Sequence, residues 1–132
     1  MKINLKNKVA LICASSDGLG FACANILSST GANIILTSRS ASNLKKAKTI
    51  IKNNIKRLGL KNDVFTFKVN LSNKISVKKF ISDLKKEHKI DILILNNGGP
   101  KPGDFNSFKN IESFEKETSS ITFSSTLLIK QL

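Results

Sequence analysis

The sequence predicts an α/β protein built on a parallel sheet with helices on both faces, and three observations carry that prediction. Short apolar runs of strand length recur at Val9 to Cys13, Asn33 to Thr37, Val64 to Val69 and Ile90 to Leu95. Between them lie stretches in which apolar residues return every three or four positions, the spacing of one helix face. The turns at the strands' carboxyl ends are rich in Gly, Ser and Asn, so ligand-facing loops would gather on one edge of the sheet. Strands alternating with helices imply right-handed crossovers and hence parallel pairing.

The first strand, Val9 to Cys13, is apolar throughout, as a strand covered on both faces should be. Ser15, Ser16, Gly18 and Gly20 then let the backbone turn sharply and come close to a ligand. Leu19, Ala22, Cys23, Ile26 and Leu27 form the expected buried stripe of a first helix, which Gly31 ends. Strand, glycine loop and helix in this order aim free backbone N–H groups and a positive helix end at a phosphate.

The second strand, Asn33 to Thr37, runs into Ser38-Arg39-Ser40, and Ser42 or Asn43 can cap the next helix. That helix has a stripe of Leu44, Ala47, Ile51, Ile55 and Leu58 and stops at Gly59. In the third strand, Val64 to Val69, alternation places Phe65, Phe67 and Val69 on one face. Ser72 is the expected cap of a third helix that buries Val77, Phe80, Ile81 and Leu84. Ile90 to Leu95 is the most apolar strand and ends in Asn96-Asn97-Gly98-Gly99-Pro100, after which Pro102 and Gly103 make the chain irregular. Ile111 to Leu132 reads as helix, with Phe114 and a cluster of Leu127, Leu128 and Ile129, although its Ser and Thr residues favour helix less. In the usual strand order, 3-2-1-4, the first and fourth strands are neighbours, so the two glycine-containing turns flank one crevice.

At 132 residues the chain fits one unit, with 40% hydrophobic and 23% charged residues as in a folded protein. Residues 1–8 hold no apolar core of signal-peptide length and no run is long enough to span a bilayer, so a cytoplasmic chain without membrane contact is expected. The net charge of +13 suggests an acidic partner at first sight. However, Lys45, Lys46, Lys48, Lys52 and Lys56, like Lys78, Lys79, Lys85 and Lys86, occupy polar positions of amphipathic helices that face solvent. No basic stripe is interleaved with stacking aromatics, and the abundance of Asn and Ile beside Lys fits a compositional bias; nucleic acid is not the expected partner. Cys13 and Cys23 are expected as free buried thiols, and no metal site is expected. His88, near a helix carboxyl end, reads as a structural or capping residue.

With its two loops in place the chain resembles the amino-terminal half of the short-chain dehydrogenase/reductase family, whose fold is a Rossmann-like parallel sheet. The family's Thr-Gly-x-x-x-Gly-x-Gly loop is similar to Cys13-Ala14-Ser15-Ser16-Asp17-Gly18-Leu19-Gly20, and its Asn-Asn-Ala-Gly to Asn96-Asn97-Gly98-Gly99. Val69-Asn70-Leu71-Ser72 resembles the turn that contacts adenine, with Asn70 at the position of the family's acid. Ala-Ser-Ser before the glycines and Gly-Gly-Pro after the asparagines look like the 3-oxoacyl-carrier-protein-reductase-like subgroup. The resemblance implies a sheet of about four strands, incomplete by the family's measure, in one dinucleotide-binding domain over residues 1–132 that forms the amino-terminal part of a longer domain. It also implies cofactor contacts from Ala14, Ser15, Ser16, Asp17, Gly18, Leu19, Gly20, Arg39, Asn70, Leu71, Asn97, Gly98 and Gly99. For Asn96 and Asn97 the plainer alternative is turn formation.

Three departures bear on chemistry. Ala14 replaces the first glycine, which is tolerable only if that residue has negative φ. The family's proton donor is a Tyr-x-x-x-Lys pair with a Ser from the fifth strand, and this chain contains no Tyr. The family's Asn in the helix after the fourth strand would align near Ile121, and no Asn follows Asn110. No catalytic residue is therefore expected in the chain itself.

Arg39 at the end of the second strand offers a charged fork to a 2′-phosphate where an acid would accept from the ribose of NAD, favouring NADP(H) over NAD(H). Asp17 pulls the other way, and a solvated surface arginine is the alternative for Arg39. Two readings follow. One is the NADP(H)-binding portion of an oxidoreductase acting on a carbonyl or alcohol, its substrate bound only with the catalytic half beyond Leu132. The other is a non-catalytic dinucleotide-binding or interaction module completed by a partner chain. Self-association into a homo-oligomer is implied by the resemblance alone.

Overall fold

A computed structural model describes residues 3–98, 104, 106 and 110–132. Its elements are β1 (Val9–Ile12), α1 (Gly18–Ser29), β2 (Asn33–Ser38), α2 (Ala41–Arg57), β3 (Val64–Lys68), α3 (Lys74–Glu87), β4 (Ile92–Ile94) and α4 (Ile111–Gln131). The four strands form one sheet in the order β3-β2-β1-β4, and all three pairings are parallel. Ala10 stands opposite Ile34 on one side and Ile92 on the other.

Successive residues of a strand point to opposite faces, so β1 and β2 feed two cores. Ala10, Ile12, Ile34 and Leu36 pack with Ala24 of α1 and Leu44, Ala47 and Ile51 of α2. Leu11, Cys13 and Ile35 pack on the other face with Val77, Phe80 and Leu84 of α3 and Leu128 of α4. Full burial of a Leu or Ile side chain contributes roughly 1.5–3 kcal/mol, so these strands are the main anchors of the fold.

The three-and-four spacing places α2 and α3 correctly: Leu44, Ala47, Ile51 and Ile55 are buried, as are Val77, Phe80, Ile81 and Leu84. Leu58 departs from its expected stripe, because it is the C-cap of α2 and half exposed. Gly31 and Gly59 take left-handed φ of 96° and 69° just past the ends of α1 and α2, which a glycine does without strain. The caps fall elsewhere than expected. Ser40, not Ser42 or Asn43, caps α2 by accepting from the Asn43 N–H at 3.3 Å, and Asn73, not Ser72, caps α3 by accepting from Ser76 at 2.9 Å.

The expected stripe of α1 is wrong. Leu19 and Ile26 are 80% and 64% exposed, Ala22 is exposed and Cys23 half-buried, while Gly20, Ala24 and Ser28 are the buried positions. Only Leu27 of the expected set joins Phe21 against the core. Apolar residues occupy both sides of this helix, and the side with the smaller residues faces the sheet because the chain comes too close there for larger ones. The lysines at 45, 46, 52, 56, 78, 79, 85 and 86 are solvent-exposed as expected, and Lys48 is half-buried.

Ser and Thr residues do not prevent α4 from forming. Asn110 accepts from the Ser113 N–H at 3.0 Å, and Thr122 and Ser125 hydroxyls donate to carbonyls one turn back. Leu128 is buried, Leu127 half-buried and Ile129 exposed. His88 caps α3, with its ring centroid 4.5 Å from that of Phe65 and its Nε2 buried without a hydrogen-bond partner. The expected irregular stretch through Pro100, Pro102 and Gly103 lies outside the described residues. No helix among the described residues is long and apolar enough to cross a membrane.

Candidate functional site

The turns at the carboxyl ends of all four strands meet in one cleft of about 260 Å³. Its walls include Ala14, Ser16 and Asp17 after β1, Thr37 to Ser40 and Asn43 after β2, Val69 to Ser72 after β3, and Asn97 and Gly98 after β4. A larger groove of about 980 Å³ lies at the opposite end of the sheet, between residues 3–7 and the loops after α1 and α2. The helix carboxyl ends there present carbonyls and the negative end of the dipole, the wrong polarity for a phosphate. Lys6 and Lys61 also line that groove, so the helix polarity and the position at the strands' carboxyl ends, not volume or charge, select the smaller cleft.

The loop after β1 is held from three sides. Asn96 Nδ2 donates to the Ala14 carbonyl at 3.1 Å, the Cys13 N–H donates to the Ile94 carbonyl at 3.0 Å, and the Ser15 N–H donates to the Thr37 carbonyl at 2.8 Å. A Cβ at Gly20 would meet the Ala14 oxygen at 2.5 Å and Asn96 Nδ2 at 2.9 Å, so only glycine lets α1 start this close to the loop. Gly18, at φ 54°, opens the helix in a backbone shape that glycine takes freely. Asp17 is the N-cap, but its side chain makes no cap bond, which leaves the first amides of α1 directed outward without a side-chain acceptor.

Ala14 does not meet the condition of negative φ: it sits at φ 45°. A left-handed alanine costs roughly 1–2 kcal/mol, and the loop's hydrogen bonds hold it there. Burial pushes the neighbouring Cys13 thiol up to about 11, the Asn96 backbone bond pulling the other way, so this cysteine is a neutral core group. Cys23 is half-buried where a buried thiol was expected.

The predicted contact residues divide into groups. Ala14, Ser16, Asp17, Arg39, Asn70, Leu71, Asn97 and Gly98 all border the cleft. Gly18, Leu19 and Gly20 form the first turn of α1 beside it. Ser15 is turned inward, fully buried, with its hydroxyl donating to the Ile12 carbonyl at 2.8 Å. Gly99 lies outside the described residues. Sequence reasoning did not assign Thr37, Ser38, Ser40 or Asn43 to the cleft, although the hydroxyl run around Arg39 was the available signal, while Val69 and Ser72 entered only as flanks of the turn likened to the adenine contact. Ser16 donates to Ser38 Oγ at 3.0 Å, and Ser38 Oγ also accepts from the Ser40 N–H at 3.3 Å, so the first two loops form one connected wall.

A parallel sheet in this order, with a glycine turn leading into α1 at its carboxyl edge, defines a Rossmann-like protein with a nucleotide-type cleft. The chain belongs to the short chain dehydrogenase family, whose family model matches residues 8–132. Dehydrogenase/reductase SDR family member 4 of Mus musculus is 36% identical over 93 residues, covering 70% of this chain and 31% of that protein. The 3-oxoacyl-[acyl-carrier-protein] reductase FabG of Buchnera aphidicola is 32% identical over 114 residues, covering 86% of this chain and 42% of that protein. The crystal structure of L-sorbose reductase from Gluconobacter frateurii, complexed with NADPH and L-sorbose, shares the fold with a TM-score of 0.83 at 22% identity, over 100% of this chain and 48% of that one. The chain thus spans less than half the length of each of these three proteins.

The cleft gathers groups of the kind that hold an anion. Arg39 is the cation on the β2 wall, hydroxyls of Ser16, Ser38 and Ser40 lie beside it, and α1 points its amino end toward the same space. Among the described residues no group of three His, Cys, Asp or Glu side chains could hold a metal ion.

Proposed function

We propose that this chain is the NADP(H)-binding portion of a short-chain dehydrogenase/reductase that moves a hydride between the dinucleotide and a carbonyl or alcohol. The observation that carries this reading is the convergence of the first turn of α1, the strained Ala14 loop and Arg39 on one cleft. The nicotinamide, when bound, supplies the hydride chemistry. The chain's own residues bind and orient: the amino end of α1 attracts phosphate, Arg39 reads a 2′-phosphate, and Asn70 and Leu71 border the adenine side. The chain has no tyrosine to hold the transferable proton, so it is expected to show no carbonyl reductase turnover by itself.

Fluorescence titration with NADPH and NADH tests the reading. NADPH should bind more tightly, and Arg39→Ala should weaken it about tenfold, as loss of one charged hydrogen bond implies, while hardly affecting NADH. Equal affinity for the two would overturn the NADP(H) preference, and binding of neither would overturn the dinucleotide reading.

The half-exposed β4 edge calls for cover, which a further strand of the same chain would supply in the enzyme reading and a partner chain in a second reading, a binding module completed along that edge. A reading frame that continues past Leu132 into a Tyr-x-x-x-Lys segment would decide for the enzyme; its absence there and in the neighbouring frames would decide for the module.

A further inference from the structure

We infer that Thr37 is a positioning residue: with Ser15 it forms a buried hydroxyl knot that holds the loop of Ala14 to Ser16 in the shape a dinucleotide needs. This rests on the dinucleotide reading above. Both residues are fully buried. Thr37 Oγ1 accepts from the Ala14 N–H at 3.1 Å and donates to the Ile12 carbonyl at 3.3 Å. Ser15 Oγ donates to that same carbonyl at 2.8 Å and accepts from the Thr37 N–H at 3.0 Å. The Thr37 carbonyl in turn accepts from the Ser15 N–H at 2.8 Å.

Each hydroxyl therefore donates once and accepts once within the knot, which commits its only proton to the Ile12 carbonyl. The parallel register of β1 with β2 reaches Ile12 opposite Leu36. One step further the first chain turns away, and side-chain oxygens continue the ladder that the backbone has left. What they hold is Ala14 at φ 45°, a conformation an alanine does not keep unaided. Ser16 follows directly and is linked to Ser38, so a loop that relaxed at Ala14 would also shift the wall that carries Arg39. Thr37 acts through this backbone, with its N–H, its carbonyl and its hydroxyl proton all engaged within the protein.

Three variants test the assignment: Thr37→Val, which keeps the shape and removes the hydroxyl, Thr37→Ser, which keeps the hydroxyl, and Thr37→Val combined with Ala14→Gly. Thr37→Val should bind NADPH about tenfold more weakly while keeping its far-ultraviolet circular dichroism, since it leaves the Ala14 N–H buried without an acceptor. Thr37→Ser should recover the affinity. The double variant should recover most of it, because glycine adopts the left-handed shape without the clamp, and urea unfolding of the same variants separates this rescue from a general gain of stability. If Thr37→Val fails to fold, Ser15→Ala carries the same measurement. Unchanged affinity in Thr37→Val, or a loss that Thr37→Ser does not repair, overturns the assignment. Should the unaltered chain bind no NADPH, the dinucleotide reading fails, and amide exchange then judges the knot alone. Faster exchange at Ala14 and Ser15 in Thr37→Val supports it, and unchanged exchange overturns it.

Discussion

The centre of the sheet and its β4 edge are built from the same kinds of residue and end in opposite states. Ala10, Leu11 and Ile12 of β1 and Ile34, Ile35 and Leu36 of β2 are all 0% exposed. Ile92, Leu93 and Ile94 of β4 are each only half-buried, and Leu95 is 40% exposed. The difference is coverage, not hydrophobicity: among the described residues β1 has a strand on both sides, whereas β4 has β1 alone. Unpaired apolar edges template association with other chains. The cleft spans both regions, since its walls run from the fully buried β1 and β2 to Asn97 and Gly98 after β4.

The largest expected effect separates the two regions directly. Leu11→Ala should cost about 2–5 kcal/mol in urea unfolding, the usual range for a buried leucine, and Leu93→Ala distinctly less because water already reaches that side chain. Equal losses would show that β4 is covered in solution and would break the contrast.

A smaller effect is expected at the cleft. Ala14→Gly should raise stability by up to about 1 kcal/mol, since relief of left-handed strain exceeds the added flexibility of the unfolded chain. A loss of stability would mean that the loop relaxes in solution and that the centre is less rigid than its hydrogen bonds suggest.

The smallest effect lies where β4 is tied down. Asp91 accepts from the Val9 N–H at 2.9 Å and pairs with Lys8 at 3.1 Å, and these two contacts, the backbone bond first, hold its carboxyl below the usual carboxylate range. A carboxylate depressed in the folded state stabilises above its unfolded pKa of about 3.9 and loses that contribution as pH falls through the folded value. Asp91→Asn should therefore unfold more readily than the parent at neutral pH, with the gap closing in acid. A gap that persists undiminished in acid would assign the tie to geometry alone.

Periodicity made α2 and α3 legible because each has one apolar face and one lysine-rich face. In α1 both faces are apolar, so spacing alone could not choose between the side of Leu19 and Ile26 and the side of Gly20, Ala24 and Ser28. The loops were legible as a set, since small residues at strand ends announce close approach. Which of their side chains face the cleft was not: Ser15 and Ser16 are adjacent and alike in sequence, yet one is locked into the core and the other borders the cavity.

By itself the sequence determined the alternation of strands and helices, the parallel order and the edge on which ligands gather, because these follow from local spacing and chain handedness. Only the tertiary structure decided the face of α1, the left-handed Ala14 and the roles of Thr37 and Ser15. Each depends on how near a second element comes, and residues 22 positions apart along the chain meet there through one hydroxyl and one backbone hydrogen bond.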